Sequence, residues 1–347
     1  MKITKKRKWI AGLMIAAVVG IALYRWRNPV VIIPDGDVPL ASYSDSELYR
    51  IENEKFGISS NGKNARETTD GINEAIQWAK ENGYRGVALS SGTYLIACDW
   101  NDPNTLPDDG ILVPSDTILS LGNAVLKMEA NSQPAYNLIY TLKGENIIID
   151  GGILVGDKDS HRYSGWSTHE WGTGVNIVAS RDVTVQNMTI YNMTGDAVTV
   201  RGGSLINSSD FHITENRLYD CRRQGVSVTG GVNGTITGNT IYNISGTDPQ
   251  SGIDIEANFG YSATGLMIQG NRISNCKGAS IQCYNGSNYS VVQNECVNGG
   301  ILIGSRTSGV KVEENILKNS RIRILGRTTN VQLSENRLDS ASVVEYR

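Results

Sequence analysis

Six stretches of the chain repeat one frame. An aliphatic residue is followed by two variable ones, Asn, one variable residue, an apolar residue, one more variable residue, and then usually Asn or Asp. The stretches start at Ile213, Ile236, Ile268, Val291, Val312 and Leu333, and their first Asn falls at Asn216, Asn239, Asn271, Asn294, Asn315 and Asn336. Successive first Asn residues are 23, 32, 23, 21 and 21 residues apart. Val185–Asn192 fits the frame with Met188 at the first Asn position, and Ile148–Ile153 fits it with Gly151. Short alternating strands recurring at this period, with no helix between them, mark a solenoid. A leucine-rich repeat shares the period but needs a Leu frame and a helical or 3₁₀ arm, and the sequence has neither. Three short strands and three turns account for one coil of ~22 residues. Asn side chains stacked at a turn can bond their counterparts in the next coil, which explains why Asn recurs where the chain bends. The pattern predicts an all-β chain folded as a right-handed, single-stranded parallel β-helix.

Upstream, Ile72, Ala75, Ile76 and Ala79 recur at helical spacing over Thr68–Lys80. Thr and Asp residues serve as N-cap candidates, and Asn82-Gly83 ends the helix. Gly86–Ser90 and Gly92–Ile96 read as strands, so this segment forms a helical cap over the open end of the sheets. Five Cys residues show no CxxC and no metal-ligand spacing, and read as buried apolar thiols. A formal net charge of −3 gives no global pull toward nucleic acid.

The N-terminus has a different character. Lys2, Lys5, Lys6, Arg7 and Lys8 precede an uncharged run of 16 residues from Trp9 to Tyr24, and Arg25 and Arg27 follow it. The run is slightly short of a ~20-residue span, and its flanking Trp and Tyr extend it at the interfaces. The charge bias leaves the N-terminus in the cytoplasm and the body outside. The expected organisation is a basic tail at 1–8, a transmembrane signal-anchor at 9–26, a stalk with three prolines at 27–54, and the β-helix at 55–347. A cleaved signal peptide is the alternative, although no small-x-small site precedes the bulky residues.

The coils align into a face. Counted from the second Asn or Asp, strands recur at Gly174–Val178, Ala197–Arg201, Gly225–Thr229, Gly252–Glu256, Ser280–Tyr284 and Gly300–Gly304. Their aliphatic residues point inward, so an outer column reads Asn176, Thr199, Ser227, Asp254, Gln282 and Leu302. A second column holds Val178, Arg201, Thr229, Glu256, Tyr284 and Gly304. Asp254 and Glu256 share the outer side of one strand. Their Cβ atoms stand ~6.5–7 Å apart, which allows either an inverting or a retaining glycosidase separation. The turns entering this face are long. Asp157–Gly172 contains His161, Trp166, His169, Glu170 and Trp171, while Arg222 and Arg223, and then Asp248, occupy later turns. Aromatic plates beside charged forks are what sugar recognition requires. Imidazoles are acid–base candidates because they titrate near neutrality. Each of these residues also has a plainer reading, as a solvated strand face or as loop packing.

The cap, the Asn coils and the Gly252-Ile-Asp-Ile-Glu256 strand resemble the pectate-lyase-like right-handed β-helix superfamily over roughly residues 55–347. That resemblance implies a scaffold shared by polysaccharide lyases, glycoside hydrolases, uronate epimerases and phage tailspikes. The paired-Asp strand of polygalacturonases is absent, and Asp248-Pro249-Gln250 lacks the His of the epimerase Asp-Pro-His motif. The expected function is therefore a membrane-anchored, extracytoplasmic enzyme that cleaves an acidic or neutral polysaccharide. Asp254, Glu256 and His169 are its candidate catalytic groups, and Arg201, Arg222, Arg223, His161, Trp166, Glu170, Trp171 and Asp248 its candidate substrate contacts. No cofactor is expected for a hydrolase. A uronate lyase or epimerase would call for a divalent cation such as calcium, and a non-catalytic glycan-binding module is the third alternative.

Overall fold

The computed structural model describes residues 47–98 and 110–339 and the backbone of 343–346. The expected basic tail, the anchor and most of the stalk lie outside the described residues. Among the described residues no helix is long and apolar enough to cross a membrane. The described structure begins within the expected stalk, where Leu48–Arg50 is already a strand paired in parallel with Gly86–Ala88.

The chain winds into a parallel β-helix. Each coil adds one strand to a ten-stranded sheet that runs from Ile111–Leu112 to Val343–Tyr346 in chain order. The remaining strands of the coils form a second, 20-stranded sheet. Alternation decides which side chains turn inward. Val198, Val200, Val226, Val228, Ile253, Ile255, Ile281 and Ile303 are fully buried and stack along the axis of the solenoid. Each contributes about 1.5–3 kcal/mol through burial. All five cysteines are buried thiols within this interior.

The repeated first Asn builds a hydrogen-bonded spine inside the solenoid. Asn294 Nδ2 donates to Asn315 Oδ1 at 3.0 Å and to the Ile268 carbonyl at 2.9 Å. In turn, Asn294 Oδ1 accepts from the backbone N–H and the side chain of Asn271 at 3.0 and 2.9 Å. The same geometry links Asn216 to Asn239, Asn239 to Asn271, and Asn315 to Asn336. A polar side chain with both ends committed is thereby tolerated in an apolar interior. At the head of the series the sequence departs from Asn, and Met188 offers only its backbone N–H to Asn216 Oδ1.

The second Asn plays another part. Asn192, Asp220, Asn243, Asn275, Asn298 and Asn319 have φ between 47° and 63°, in the left-handed region. Asn and Asp tolerate this conformation better than other non-glycine residues. The two Asn positions of the frame are therefore distinct. One satisfies buried backbone groups, and the other turns a corner. Between the corners, Tyr191, Tyr219 and Tyr242 stack with ring centroids 4.9 and 4.8 Å apart, which is the coil spacing itself.

The cap helix spans Ala65–Glu81 and begins three residues before the expected Thr68. The two threonines read as caps lie within its first turns. Thr69 Oγ1 donates to the Ala65 carbonyl at 2.8 Å and accepts from Ala97 N–H at 2.9 Å, which ties the helix to the adjacent strand. Asn64 occupies the N-cap position in the left-handed region, without a side-chain cap bond.

Replacing Asn294 by Ala leaves several buried backbone and side-chain groups without partners, so it should cost about 3 kcal/mol or more. Replacing the exposed corner Asn298 by Ala should cost about 1 kcal/mol. Urea denaturation of the two variants measures the contrast, and equal losses would contradict the division of roles.

Candidate functional site

The ten-stranded sheet places the outer column in one register. Thr199 pairs with Asn176 and Ser227, Ser227 with Asp254, Asp254 with Gln282, and Gln282 with Leu302. In the second column Arg201 pairs with Val178 and Glu256 with Tyr284. Asp254 is nevertheless not on a wet face, since only 3% of it is exposed. Gln282 Nε2 donates to its Oδ1 at 2.7 Å, and Gln224 Nε2 donates to its Oδ2. Burial pushes the Asp254 carboxyl up to about 7. The Gln282 hydrogen bond and the Arg223 charge oppose this rise, while the charges of Glu256 and Asp196 add to it. Each carboxyl oxygen accepts one amide hydrogen and keeps a lone pair for a proton. Glu256, two residues on, is exposed.

Arg223 organises the centre. Its guanidinium donates to Asp196 Oδ2 at 2.9 Å and to Gln224 Oε1 at 2.8 Å, and lies 4.9 Å from the centroid of the Trp171 ring. Gln224 therefore relays between Arg223 and Asp254. Asp196 also accepts from Thr199 Oγ1 at 3.1 Å. Burial raises its carboxyl to about 6 against the lowering effects of Arg223 and Thr199. Burial alone would lower the basicity of Arg223, but the charges of Asp196, Asp254 and Glu170 raise it above the ordinary arginine value.

The long loop before this face is held together by its own histidines. His161 Nδ1 meets Asp157 Oδ2 at 2.8 Å, and its Nε2 meets His169 Nδ1 at 2.8 Å. His169 Nε2 donates to the Ser164 carbonyl at 2.7 Å. Every ring nitrogen is engaged within the loop, and both imidazoles are buried. Arg222 clamps the loop from the neighbouring coil, donating to the carbonyls of Thr168 and His169 at 2.7 and 3.1 Å and lying over the Tyr163 ring. Asp248 is likewise occupied locally, accepting from Gln250 Nε2 at 2.6 Å.

The structure thus gathers Asp254, Glu256, Arg223, Glu170 and Trp171 around one centre. It sets His161, His169 and Arg222 in the architecture of the loop and Asp248 in its own turn, and leaves Trp166 fully exposed. Arg201 is half-buried two strands from Glu256 and faces Tyr261. Sequence reasoning missed Asp196 and gave no role to Gln224 or Gln282. Asp196 and Gln224 pair in register as the first residues of their strands, on the parity of the inward Val198 and Val226, so alternation alone assigns them to the core and gives no signal of a site. Among the described residues no three His, Cys, Asp or Glu side chains converge as metal ligands. Beyond Gln282 the face opens into a cavity of about 540 Å³.

A family described as right handed beta helix region matches residues 104–263 and again residues 173–338. The chain belongs to this right-handed β-helix family. This β-helix protein is similar to the SPbeta prophage-derived uncharacterized protein YorA of Bacillus subtilis (strain 168), at 29% identity over 72% of this chain and 46% of YorA. It spans less than half the length of the curated relatives it matches. Among solved structures it resembles a 1,3-α-1,4-β-D-galactose-4-sulfate-3,6-anhydro-D-galactose-2-sulfate 4 galactohydrolase, with a TM-score of 0.63, 12% identity, and coverage of 88% of this chain and 94% of that one. It also resembles the Streptococcus pneumoniae surface protein and adhesin PfbA, with a TM-score of 0.58, 14% identity, and coverage of 86% and 100%. At such identities the likeness is one of fold.

The raised Asp254 carboxyl carries a stability signature. Its folded-state value lies above the unfolded one, so ionising it in place costs free energy that accrues as pH rises from about 4 to about 7. Asp254→Asn should therefore leave stability near pH 4 almost unchanged. Near pH 8 it should raise stability, by at most about 4 kcal/mol. Denaturation midpoints across pH check this, and a destabilised variant at pH 8 would contradict it.

Proposed function

We propose that this β-helix protein cleaves a polysaccharide by hydrolysis, with the glycan lying along the ten-stranded sheet. The observation that carries the reading is Asp254, a carboxyl poised near 7 with the exposed Glu256 on the same side of its strand. A proton donor in this range is half-protonated at neutral pH and can protonate a leaving glycosidic oxygen. Glu256 then serves as the partner carboxylate, as base toward water or as nucleophile toward the sugar. Trp171 is half-exposed beside Arg223 and supplies an apolar plate for a sugar ring. Hydrolysis is favoured over elimination because Arg223 is held charged by Asp196, and a cationic guanidinium cannot abstract a proton. His161 and His169 act here as positioning residues that shape the loop carrying Glu170 and Trp171. The Lys2–Lys8 cluster and the Trp9–Tyr24 run support an extracytoplasmic location behind a single-pass anchor.

Incubation with a panel of acidic and neutral polysaccharides tests the proposal. The protein should release new reducing ends without the ultraviolet absorbance of an unsaturated uronate. Asp254→Asn should lower kcat by about 10²–10⁴-fold while glycan binding persists. Activity of the parent should fall as pH rises through about 7, where Asp254 loses its proton. Unsaturated product would overturn hydrolysis in favour of a lyase. Glycan binding without turnover on any substrate would overturn the enzyme in favour of a binding module.

A further inference from the structure

Arg223 is linked to two carboxyls, one directly and one through an amide. Its Nη1 donates to Asp196 Oδ2 at 2.9 Å and to Gln224 Oε1 at 2.8 Å. Gln224 Nε2 in turn donates to Asp254 Oδ2. The amide between them has a fixed sense. A guanidinium can only donate, so Gln224 turns its oxygen toward Arg223 and its N–H toward Asp254. On the other side Gln282 Nε2 donates to Asp254 Oδ1 at 2.7 Å. Neutral amides from the coil before and the coil after thus flank Asp254.

Which carboxyl takes the cation matters, because all three groups are largely buried. A buried guanidinium left without a carboxylate is an uncompensated charge. A carboxyl placed directly against it is driven to ionise. Asp196 receives both Arg223 and the Thr199 hydroxyl, the latter at 3.1 Å. Asp254 meets Arg223 only through Gln224. Asp254 is faced by Glu256 on its own strand, by Arg223 from the coil before, by Asp196 from two coils before, and by Cys283 and Tyr284 from the coil after. Glu170, on the long loop, acts on Asp196 and Arg223. Arg223 favours ionisation of Asp254, whereas Glu256 and Asp196 oppose it.

We propose that Asp196 is a positioning residue, which holds the Arg223 guanidinium and so withholds that charge from Asp254. The two carboxyls then carry one negative charge, on Asp196, and one proton, on Asp254. Burial raises both, Asp196 to about 6 and Asp254 to about 7, an order that agrees with this division. The catalytic meaning of the inference rests on the hydrolase reading, in which Asp254 is the acid. Its first test requires no turnover.

Full-length Asp254→Asn protein is compared with its parent by urea denaturation from about pH 4 to about pH 8, with Asp196 intact and again with Asp196→Asn. Within each background the difference isolates the cost of ionising Asp254 in the fold. That cost accrues from the unfolded value of about 4 up to the folded value, so a lower folded value ends it sooner. Asp196→Asn should lower the folded value of Asp254 by about one pH unit or more. The advantage of Asp254→Asn near pH 8 should then shrink by about tenfold in the unfolding equilibrium for each unit. Asp196→Glu keeps the charge and should preserve most of the advantage. Asp196→Ser removes the same charge with a smaller side chain, and serves where Asp196→Asn does not fold. An advantage unchanged or enlarged on removal of the Asp196 charge, or reduced equally by Asp196→Glu, would overturn the proposal. Activity supplies a second readout. Where the parent hydrolyses a glycan, Asp196→Asn should move the fall in activity to lower pH by about one unit. A fall that stays near 7 would overturn the role of Asp196 and leave hydrolysis standing. Where no glycan is turned over, the hydrolase reading fails, and the stability comparison still decides the role of Asp196.

Discussion

From Asn216 to Asn336 the solenoid hangs on a buried amide spine. A solenoid coil must turn its backbone inside an apolar core, where an unpaired N–H or C=O costs about 1–3 kcal/mol. Asn has the right reach and both polarities. Its amide donates to a carbonyl and to the next Asn, while its oxygen accepts from the Asn before it. One side chain thus closes the hydrogen-bond accounts of three coils. Once the corners are fixed in this way, the inward aliphatics and the outward polar columns follow from strand alternation.

That rigidity is what allows a costly arrangement on the face. Asp196, Arg223, Gln224 and Asp254 form a polar group in which two carboxyls are held under burial around one guanidinium. Such a group is unfavourable in isolation and persists because the strands beneath it cannot move apart. The consequence is a carboxyl displaced toward neutrality at a fixed address, beside an aromatic ring and an exposed second acid. Environments that push neighbouring carboxyls to different values are the ones that can run acid and base chemistry together.

The fold was legible because each coil needs the same residue type at the same place. Asn216 through Asn336 announce the spine, and the aliphatic alternation announces which side of every face strand is out. The column from Asn176 to Leu302 could be written down from the sequence and is found in register. The site was legible only in part, because alternation gives direction but not depth. Asp254 reads as an outward acid, yet its burial depends on Gln224, Gln282 and the turns around it. Asp196 opens its strand on the parity of the inward Val198 and Val200, so alternation alone assigns it to the core. Histidines crowded with tryptophans look like chemistry in a sequence. Contacts of 2.8 Å between Asp157, His161 and His169 turn them into a strut, and no spacing rule distinguishes the two.

The spine also sets how the molecule comes apart. Each interior rung gives an acceptor to one neighbour and takes one from the other, so opening it strands polar groups on both sides. The last rung, Asn336, strands them toward Asn315 and Val312 alone. A chain linked only through nearest neighbours behaves as a one-dimensional lattice, and such a lattice frays inward from its ends. The coil that carries Asp254 lies between the rungs of Asn239 and Asn271, both interior. Its amide hydrogens are consequently among the last to exchange with solvent, and the face stays assembled while the terminal coils open and reclose.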